Sequence, residues 1–506
     1  MRQKFAQLSV AEFFKRNRAV AGFTNPARST YQVVRELLEN SLDATENYGI
    51  LPDIKLRIDV IGKSGNHDLI EVECQDNGIG IPPQHVPRAF AQVFYGSKYV
   101  NRQSRGLFGL GVKMAVIYAQ ITVGEPITVT TSPVEGDGKA HTFQLKVNLK
   151  ENKPIVVSHK EEENGWHGTR VKLRFAGDWG RAKRYVLEYV KRTAVVTPFA
   201  SIVFRYPDDG KNTTLRFERV IEEMPPPPKV KLPHPYGVDL ETFKEMISEA
   251  PSSMKLYRFL ASRFDRVGDA TAVKFLQSLG ITSKKTVGGL TESEVRKVWE
   301  AMQAFKWPRP SADGLSPLGE RLIEAGLRRV FSPEFVASVQ RPPSSYSGHA
   351  FIVEAGACWG GGVPVSDDKI PVLRFFNKIP VLFDENDCAV ANVVQSIDLS
   401  HYGLQPPQPL VVLVHVVSTK IPFKGLGKEA LADVPELEKE VELAVRESLR
   451  KIARTVAKKR REEEETRRKA EILKYADMIA EGLSYLSSAD RTYTKELVVK
   501  LVETKG

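Results

Sequence analysis

Four prolines in a row, Pro225 to Pro228, with Pro233 and Pro235 close behind, set the strongest constraint on this 506-residue chain. A proline run lacks backbone donors and is held extended, so it can be neither a helix interior nor a central strand. It reads as a stiff linker, and the patterns on its two sides differ. Before it, up to about Glu222, helical and strand-like segments alternate as in a mixed α/β domain. After it, residues 239–306 are helical throughout, with turns at Gly280 and Gly288-Gly289. Thr291, three residues before Glu294, has the form of a capping box opening the last of these helices. A second break, Trp307 to Gly314, holds Pro308 and Pro310 and leads into β-rich stretches at Phe351–Glu354, Val372–Phe376, Val381–Phe383 and Leu410–Val417. The expected division is 1–222, 223–306, 307–428 and 429–506.

The last of these regions is helical in pattern. Apolar residues at 437, 441, 445, 449, 452 and 456 form a one-sided stripe. Lys458 to Lys469 then carries almost no apolar residue, and Glu463, Glu464 and Glu465 precede Arg467, Arg468 and Lys469 by four, the favourable order for helical ion pairs. A second stripe follows at Ile472, Ala476, Ile479, Leu483 and Leu486, so one long helix is expected from about Pro435 to Ser487. Each stripe needs something to cover it.

A hydrophobic fraction of 42% and a charged fraction of 27% are those of an ordinary globular protein. The longest apolar run, Leu410 to Val417, is strand-sized and interrupted by His415, so no membrane span is expected. Met1 to Val10 carries polar residues throughout and lacks a signal-peptide apolar stretch, which makes the cytoplasm the expected location. Cys74, Cys358 and Cys388 are far apart and form no CxxC pair; buried, reduced thiols are expected in place of a zinc knuckle or disulfides. A net charge of +11 favours a polyanionic partner, nucleic acid before membrane.

Four motifs carry chemistry. In the helix opened by Asn25-Pro26, a rotation of about 100° per residue puts Glu36, Asn40 and Asp43 on one narrow face and Tyr31, Val34 and Leu38 opposite. By itself this is a solvated polar face on an apolar-docked helix. The strand Leu69 to Asp76 then aligns Ile70, Val72, Cys74 and Asp76 on one side, and a carboxylate ending an apolar strand face needs a donor partner. Adenine's exocyclic amine is such a donor, and the following Asn77-Gly78-Ile79-Gly80 lets a flat ring approach the backbone. The third motif, Gly106-Leu107-Phe108-Gly109-Leu110-Gly111-Val112-Lys113, runs into a helix and can present N–H groups to phosphate. It is neither a Walker loop nor a dinucleotide-binding fingerprint. Gly168-Thr169 opens a further strand and offers a hydroxyl.

The ordered set resembles the Bergerat-fold (GHKL) ATPases, the superfamily of gyrase, the MutL repair proteins, histidine kinases and a heat-shock chaperone. The resemblance implies ATP with Mg²⁺: Glu36 as the general base, Asn40 as the metal ligand, and Asp76 and Thr169 reading adenine. Ser97, Lys98 and Gly106 to Lys113 would close over the triphosphate. A histidine kinase is excluded because the first histidine is His67, already inside the domain, and single-chain gyrase-type enzymes because no Asp-x-Asp occurs. Nearly the whole chain is similar to the B-subunit family of the archaeal type IIB enzyme, topoisomerase VI. The likeness is carried by SVAEFFKRN (9–17), NPARSTYQVVRELLENSLDAT (25–45), DNGIGIPP (76–83), SKYVNRQSRGLFGLGVK (97–113), PHPYGVD (233–239), GHAFIVEAG (348–356), NKIPVLFD (377–384) and STKIPFKGLGKEA (418–430).

That resemblance implies a multidomain α+β chain. Its parts would be an N-terminal arm and Bergerat-fold α/β sandwich, a small all-helical helix-two-turns-helix domain, an α/β transducer, and a long C-terminal helix docking an A subunit. It also implies that Lys420, at the end of the strand Leu410–Ser418, reaches the γ-phosphate. ATP would drive homodimerisation within an A2B2 heterotetramer at the nucleoid, and strand passage of double-stranded DNA would follow cleavage by the tyrosine-bearing A subunit. Lys274, Lys284, Lys285, Arg296, Lys297, Arg328 and Arg329 are candidate DNA contacts. The arm, Met1 to Phe14, is expected to cross to a second copy. A MutL-like clamp would share the ATP site but lack the 239–306 insertion, and a non-catalytic scaffold would use ATP only as glue.

Overall fold

The computed structural model describes residues 8–96, 101–106, 109–163, 165–425 and 428–504. The first region is one twisted sheet with helices on one face. Its strands are β1 (Asp53–Ser64), β2 (His67–Gln75), β3 (Ile127–Ser132), β4 (Lys139–Asn148), β5 (Lys153–Glu163), β6 (Gly168–Gly177), β7 (Ser201–Asp208) and β8 (Lys211–Phe217), in the order β5-β4-β3-β6-β2-β1-β7-β8. Neighbours are antiparallel except β1 and β7. Strand β1 shows why one face is covered: Ile54, Leu56 and Ile58 are buried while Lys55 and Arg57 between them are exposed. The covering helices are α1 (Val10–Arg16), α2 (Pro26–Glu46), α3 (Val86–Ala91), α4 (Gly111–Thr122) and α5 (Trp179–Val196).

Helix α2 begins where its sequence says it should. Asn25 Oδ1 accepts the Arg28 N–H at 2.9 Å, and Pro26 takes the first helical position. Tyr31, Val34, Leu38 and Leu42 are all at most 1% exposed, each worth roughly 1.5–3 kcal/mol in burial. Helix α1 corrects one expectation. Ala11 and Phe14 are buried in the core of their own domain and Ser9 Oγ donates to the Leu149 carbonyl, so residues 9–14 are not a free arm. Residues 1–7 lie outside the described part.

The proline segment runs extended into α6 (Leu240–Ser248), α7 (Leu256–Arg263), α8 (Asp269–Ser278) and α9 (Glu292–Ala304), which pack around Phe243, Phe259, Phe264 and Phe275. The Thr291–Glu294 capping box is present in full. The third region comprises α10 (Glu320–Phe331), β9 (Phe335–Gln340), β10 (Ser344–Tyr346), β11 (His349–Trp359), β12 (Val372–Phe376), β13 (Ile379–Val381), α11 (Ala389–Gln395) and β14 (Leu410–Ser418). Its sheet runs β10-β11-β14-β12-β13, with β9 also on β11. Strand β14 is buried at every residue because both sheet faces are covered. The strand expected at 381–383 ends instead at Val381, and α10 is an addition to the expected elements. Helix α10 joins this region to the first by packing on α5. A Cβ on Gly326 would stand 1.7 Å from the Val195 carbonyl oxygen, so only glycine permits that contact. Arg329 is turned inward here: its Nη1 donates to the Thr197 carbonyl at 3.0 Å, and burial holds its pKa down to about 10. That removes it from the candidate DNA contacts.

The C-terminal helices are α12 (Pro435–Lys474), α13 (Ala476–Ser487) and α14 (Arg491–Thr504). The first stripe is covered: Leu437, Val441, Val445, Leu449, Ile452 and Val456 are each at most 1% exposed against the sheet of the third region and α11. The expected single helix is broken at Tyr475. Beyond it α14 folds back along α13, with Thr494 Oγ1 donating to the Ala480 carbonyl at 3.1 Å and Lys495 pairing with Asp477 at 2.7 Å. This covers Ala476 and Ala480 and leaves Ile472, Ile479, Leu483 and Leu486 exposed. All three cysteines are buried free thiols. Among the described residues no helix is long and apolar enough to cross a membrane.

Candidate functional site

The polar face of α2 opens on a cavity of about 290 Å³ between the sheet and the glycine-rich loop. Glu36, Asn40, Asp76, Gly106, Gly109, Leu110, Gly111, Val112, Lys113 and Thr169 all line it. Four motifs spread from residue 36 to residue 169 are thereby brought together. Ser97, Lys98, Leu107 and Phe108 fall outside the described residues.

Each side chain is held by its neighbours. Gln32 Nε2 donates to Glu36 Oε1 at 2.8 Å, fixing the carboxylate from one turn back. Asn40 Nδ2 donates to the Glu36 carbonyl at 2.7 Å, so the amide oxygen is the atom with which Asn40 can act as a ligand. Gly111, the first residue of α4, approaches so closely that a Cβ there would lie 1.5 Å from Glu36 Oε2. The N-terminus of α4, where the first N–H groups have no partner within the helix, thus lies directly against the carboxylate at the wall of the cavity. Lys113 is buried, with Nζ donating to the Gly109 carbonyl at 2.7 Å.

At the far wall, Asp76 Oδ1 accepts from the Gly78 and Thr169 N–H groups at 2.9 and 3.1 Å. Burial nevertheless outweighs these bonds and pushes its pKa up to about 6. The Thr131 hydroxyl accepts the Ile81 N–H at 2.7 Å and so sets the turn after Asp76. The donor set is chemically consistent: an amide oxygen is a hard ligand suited to Mg²⁺, which takes one or two protein ligands beside phosphate oxygens.

Lys420 is the expected residue that the structure does not bring to the cavity. Its side chain is exposed, its N–H donates to Ser418 Oγ at 3.2 Å, and the Tyr346 hydroxyl donates to its carbonyl. Burial, helped by the Lys420 charge, holds nearby His349 down to about 4. The third-region lysine that does line the cavity is Lys428, whose Nζ donates to the Arg105 carbonyl at 2.9 Å. Lys428 sits at φ 56° in a connecting loop, where no periodicity marks it. Phe14 and Arg102 are further lining residues that the motifs do not single out.

Helix α2 is also joined to residues beyond the helical domain through buried charges. Arg28 Nη2 and Arg35 Nη1 reach Glu429 Oε1 at 2.8 and 3.3 Å, and Arg35 Nε pairs with Glu39 at 2.7 Å. Arg105 bridges Asp43 and Glu46 at 3.1 and 2.7 Å, and Lys378 Nζ meets Glu46 at 2.9 Å. Burial opposes the charge on Glu46, but Arg105 and Lys378 together hold its pKa below the usual carboxylate value.

Over 504 residues the chain is 46% identical to the B subunit of type 2 DNA topoisomerase 6 from Saccharolobus solfataricus, covering 99% of this chain and 93% of that relative. The chain belongs to this topoisomerase 6 B-subunit family. The relative from Saccharolobus shibatae is 45% identical with the same coverage. Two family models match as well. Residues 310–468 match the topoisomerase VI B-subunit transducer, a span that runs beyond residue 428 into α12. Residues 25–151 match the histidine kinase-, DNA gyrase B- and HSP90-like ATPases and contain Glu36, Asn40, Asp76 and the glycine-rich loop. Membership in a topoisomerase 6 B-subunit family sets aside the MutL-like alternative.

Proposed function

We propose that this chain is the ATP-hydrolysing subunit of a type IIB topoisomerase, working with a separate DNA-cleaving A subunit on double-stranded DNA. The observation that carries the proposal is the convergence of Glu36, Asn40, Asp76, Gly111 and Thr169 on one cavity, in a chain nearly half identical to a topoisomerase 6 B subunit. Asp76 accepts the adenine amine, with Thr169 beside it. The N–H groups at the start of α4, together with Lys113 and the glycine loop, hold the triphosphate. Asn40 Oδ1 would hold Mg²⁺, which would offset the charge of the phosphate oxygens. Glu36, fixed by Gln32, takes the proton of the attacking water.

From its exposed position Lys420 must travel to reach the terminal phosphate. A transducer segment that moves toward nucleotide is what converts ATP binding into domain rotation. Closure then favours pairing of two copies, and α12 carries the rotation outward. The open stripe Ile479, Leu483 and Leu486 on α13 docks the A subunit, since large apolar side chains left uncovered on one helix face mark an interaction surface. Such a complex acts in the cytoplasm, at the nucleoid.

Truncation after Val456 keeps the first stripe and removes the second. The truncated chain should still bind ATP and double its mass with a non-hydrolysable analogue in sedimentation, yet no longer co-purify with the A subunit. If the truncated chain still retains the A subunit, docking lies elsewhere.

A further inference from the structure

The turn between β12 and β13 is a meeting point of three parts of the molecule, and the hydrolysis scheme does not use it. Asn377 and Lys378 form this two-residue connection with φ of 50° and 66°. Two-residue hairpin loops want left-handed pairs, and Asn-Gly supplies them without steric cost. Lysine does not, so Lys378 has to contribute something that a glycine could not. Its side chain is buried, with Nζ 2.9 Å from Glu46 Oε2 on the last turn of α2. The other oxygen of Glu46 takes Arg105 Nη2 at 2.7 Å, one residue before Gly106 of the glycine loop.

Asn377 holds the stretch before the glycine loop and the end of β14 through its amide. Nδ2 donates to the Ser104 carbonyl at 3.3 Å and to the Ser418 carbonyl at 2.9 Å, while Oδ1 accepts the Ser418 N–H at 3.0 Å. Ser418 ends β14, two residues before Lys420. The Lys378 N–H donates to His415 Nε2 at 2.9 Å, and His415 Nδ1 meets Glu354 at 2.7 Å, which anchors the turn to the central strands β11 and β14.

We infer that Asn377 and Lys378 are positioning residues, a latch that makes the glycine loop and the Lys420-bearing end of β14 move as one unit. The inference rests on the nucleotide-site reading under the proposed function. Arg105 cannot shift with the loop and leave Glu46 behind, because a buried charge without its partner is costly. Lys378 therefore follows Glu46, and Asn377 carries Ser418 with it.

Hydrogen exchange on the full-length chain, with and without a non-hydrolysable ATP analogue, reads both ends of the latch. In the unaltered chain the analogue should slow exchange in 101–106 and in 416–420 together. Asn377→Gly suits the turn's backbone and keeps the Lys378–Glu46 pair. It should preserve the slowing at 101–106 and abolish it at 416–420. ATP turnover should drop about tenfold, while KM and ADP affinity stay within about threefold. Lys378→Met should do the same. Should Asn377→Gly leave both ends responsive with unchanged turnover, or lose both together with ADP affinity, the latch is wrong. An unaltered chain that binds the analogue but protects only one end overturns it too. If the unaltered chain binds neither analogue nor ADP, the nucleotide-site reading fails instead.

Discussion

The middle and the last turn of helix α2 use the same residue types differently. Near its middle, Glu36 and Asn40 line open space, each steadied by a hydrogen bond within its own helix. At its last turn, Asp43 and Glu46 meet Arg105 and Lys378, and all four are buried at less than 9% exposure. A carboxylate facing a cavity is available for chemistry. One enclosed among cations is committed to holding domains together. What separates them is not the residue but what the rest of the chain delivers to it, and that difference is open to experiment.

The largest effect belongs at the cavity-facing middle. Glu36→Ala should cut ATP turnover by roughly 10²–10⁴, the usual range for a lost general base, with ADP affinity and melting temperature near normal. Steady-state kinetics with calorimetry checks it, and near-normal turnover would erase the distinction between the two stretches. Glu46→Ala should show the opposite profile. Lys378 and Arg105 lose their shared partner, and breaking a buried pair costs about 3–5 kcal/mol, read as a lowered denaturant midpoint. If Glu46→Ala is as stable as the parent, the enclosed charges are not structural.

Asp76 lies between these extremes, buried yet lining the cavity. Its pKa of about 6 means it is ionised at pH 7, when it can accept the adenine amine, and protonated below pH 6. Binding that needs the ionised form is nearly complete at pH 7 and is lost as pH falls through about 6. ADP affinity should therefore weaken by about tenfold between pH 7 and pH 5. Calorimetry at the two pH values tests this, with Asp76→Asn expected to be weak at both. The smallest effect lies away from α2 altogether. Thr291→Ala removes one cap from the helical domain and should cost about 1 kcal/mol without altering turnover. It sets the scale for a change that touches neither chemistry nor buried charge.

The cavity-facing part is legible in the sequence because its signals are local. Asn25-Pro26 starts α2, the alternation into Asp76 ends a strand, and glycines before an apolar helix mark the loop. The four pieces converge through the sheet, but each can be recognised within a few residues. The enclosed part is not legible, since Lys378 meets Glu46 across 332 positions and no short window contains both. Helix α10 escapes a sequence reading although Leu322, Ile323, Leu327 and Phe331 have helical spacing; its N-cap, Gly319, offers no capping side chain to announce it. The break at Tyr475 carries no proline or glycine. It accompanies the return of α14 over Ala476 and Ala480, a tertiary choice that helical periodicity cannot register. Lys420 does stand just past its strand end as expected, yet the backbone there is fixed by Tyr346 and Ser418, and its side chain lies outside the cavity.

The central claim is that chemistry at Glu36 drives passage of DNA. Supercoiled plasmid should be incubated with ATP and Mg²⁺, using the full chain or its Glu36→Ala variant, each with and without purified A subunit. Relaxed topoisomers should accumulate only with the unaltered chain and the A subunit together, and should fall away with Glu36→Ala in proportion to its lost turnover. Relaxation without the A subunit, or undiminished relaxation by Glu36→Ala once its ATP turnover has been shown to be lost, would contradict that claim.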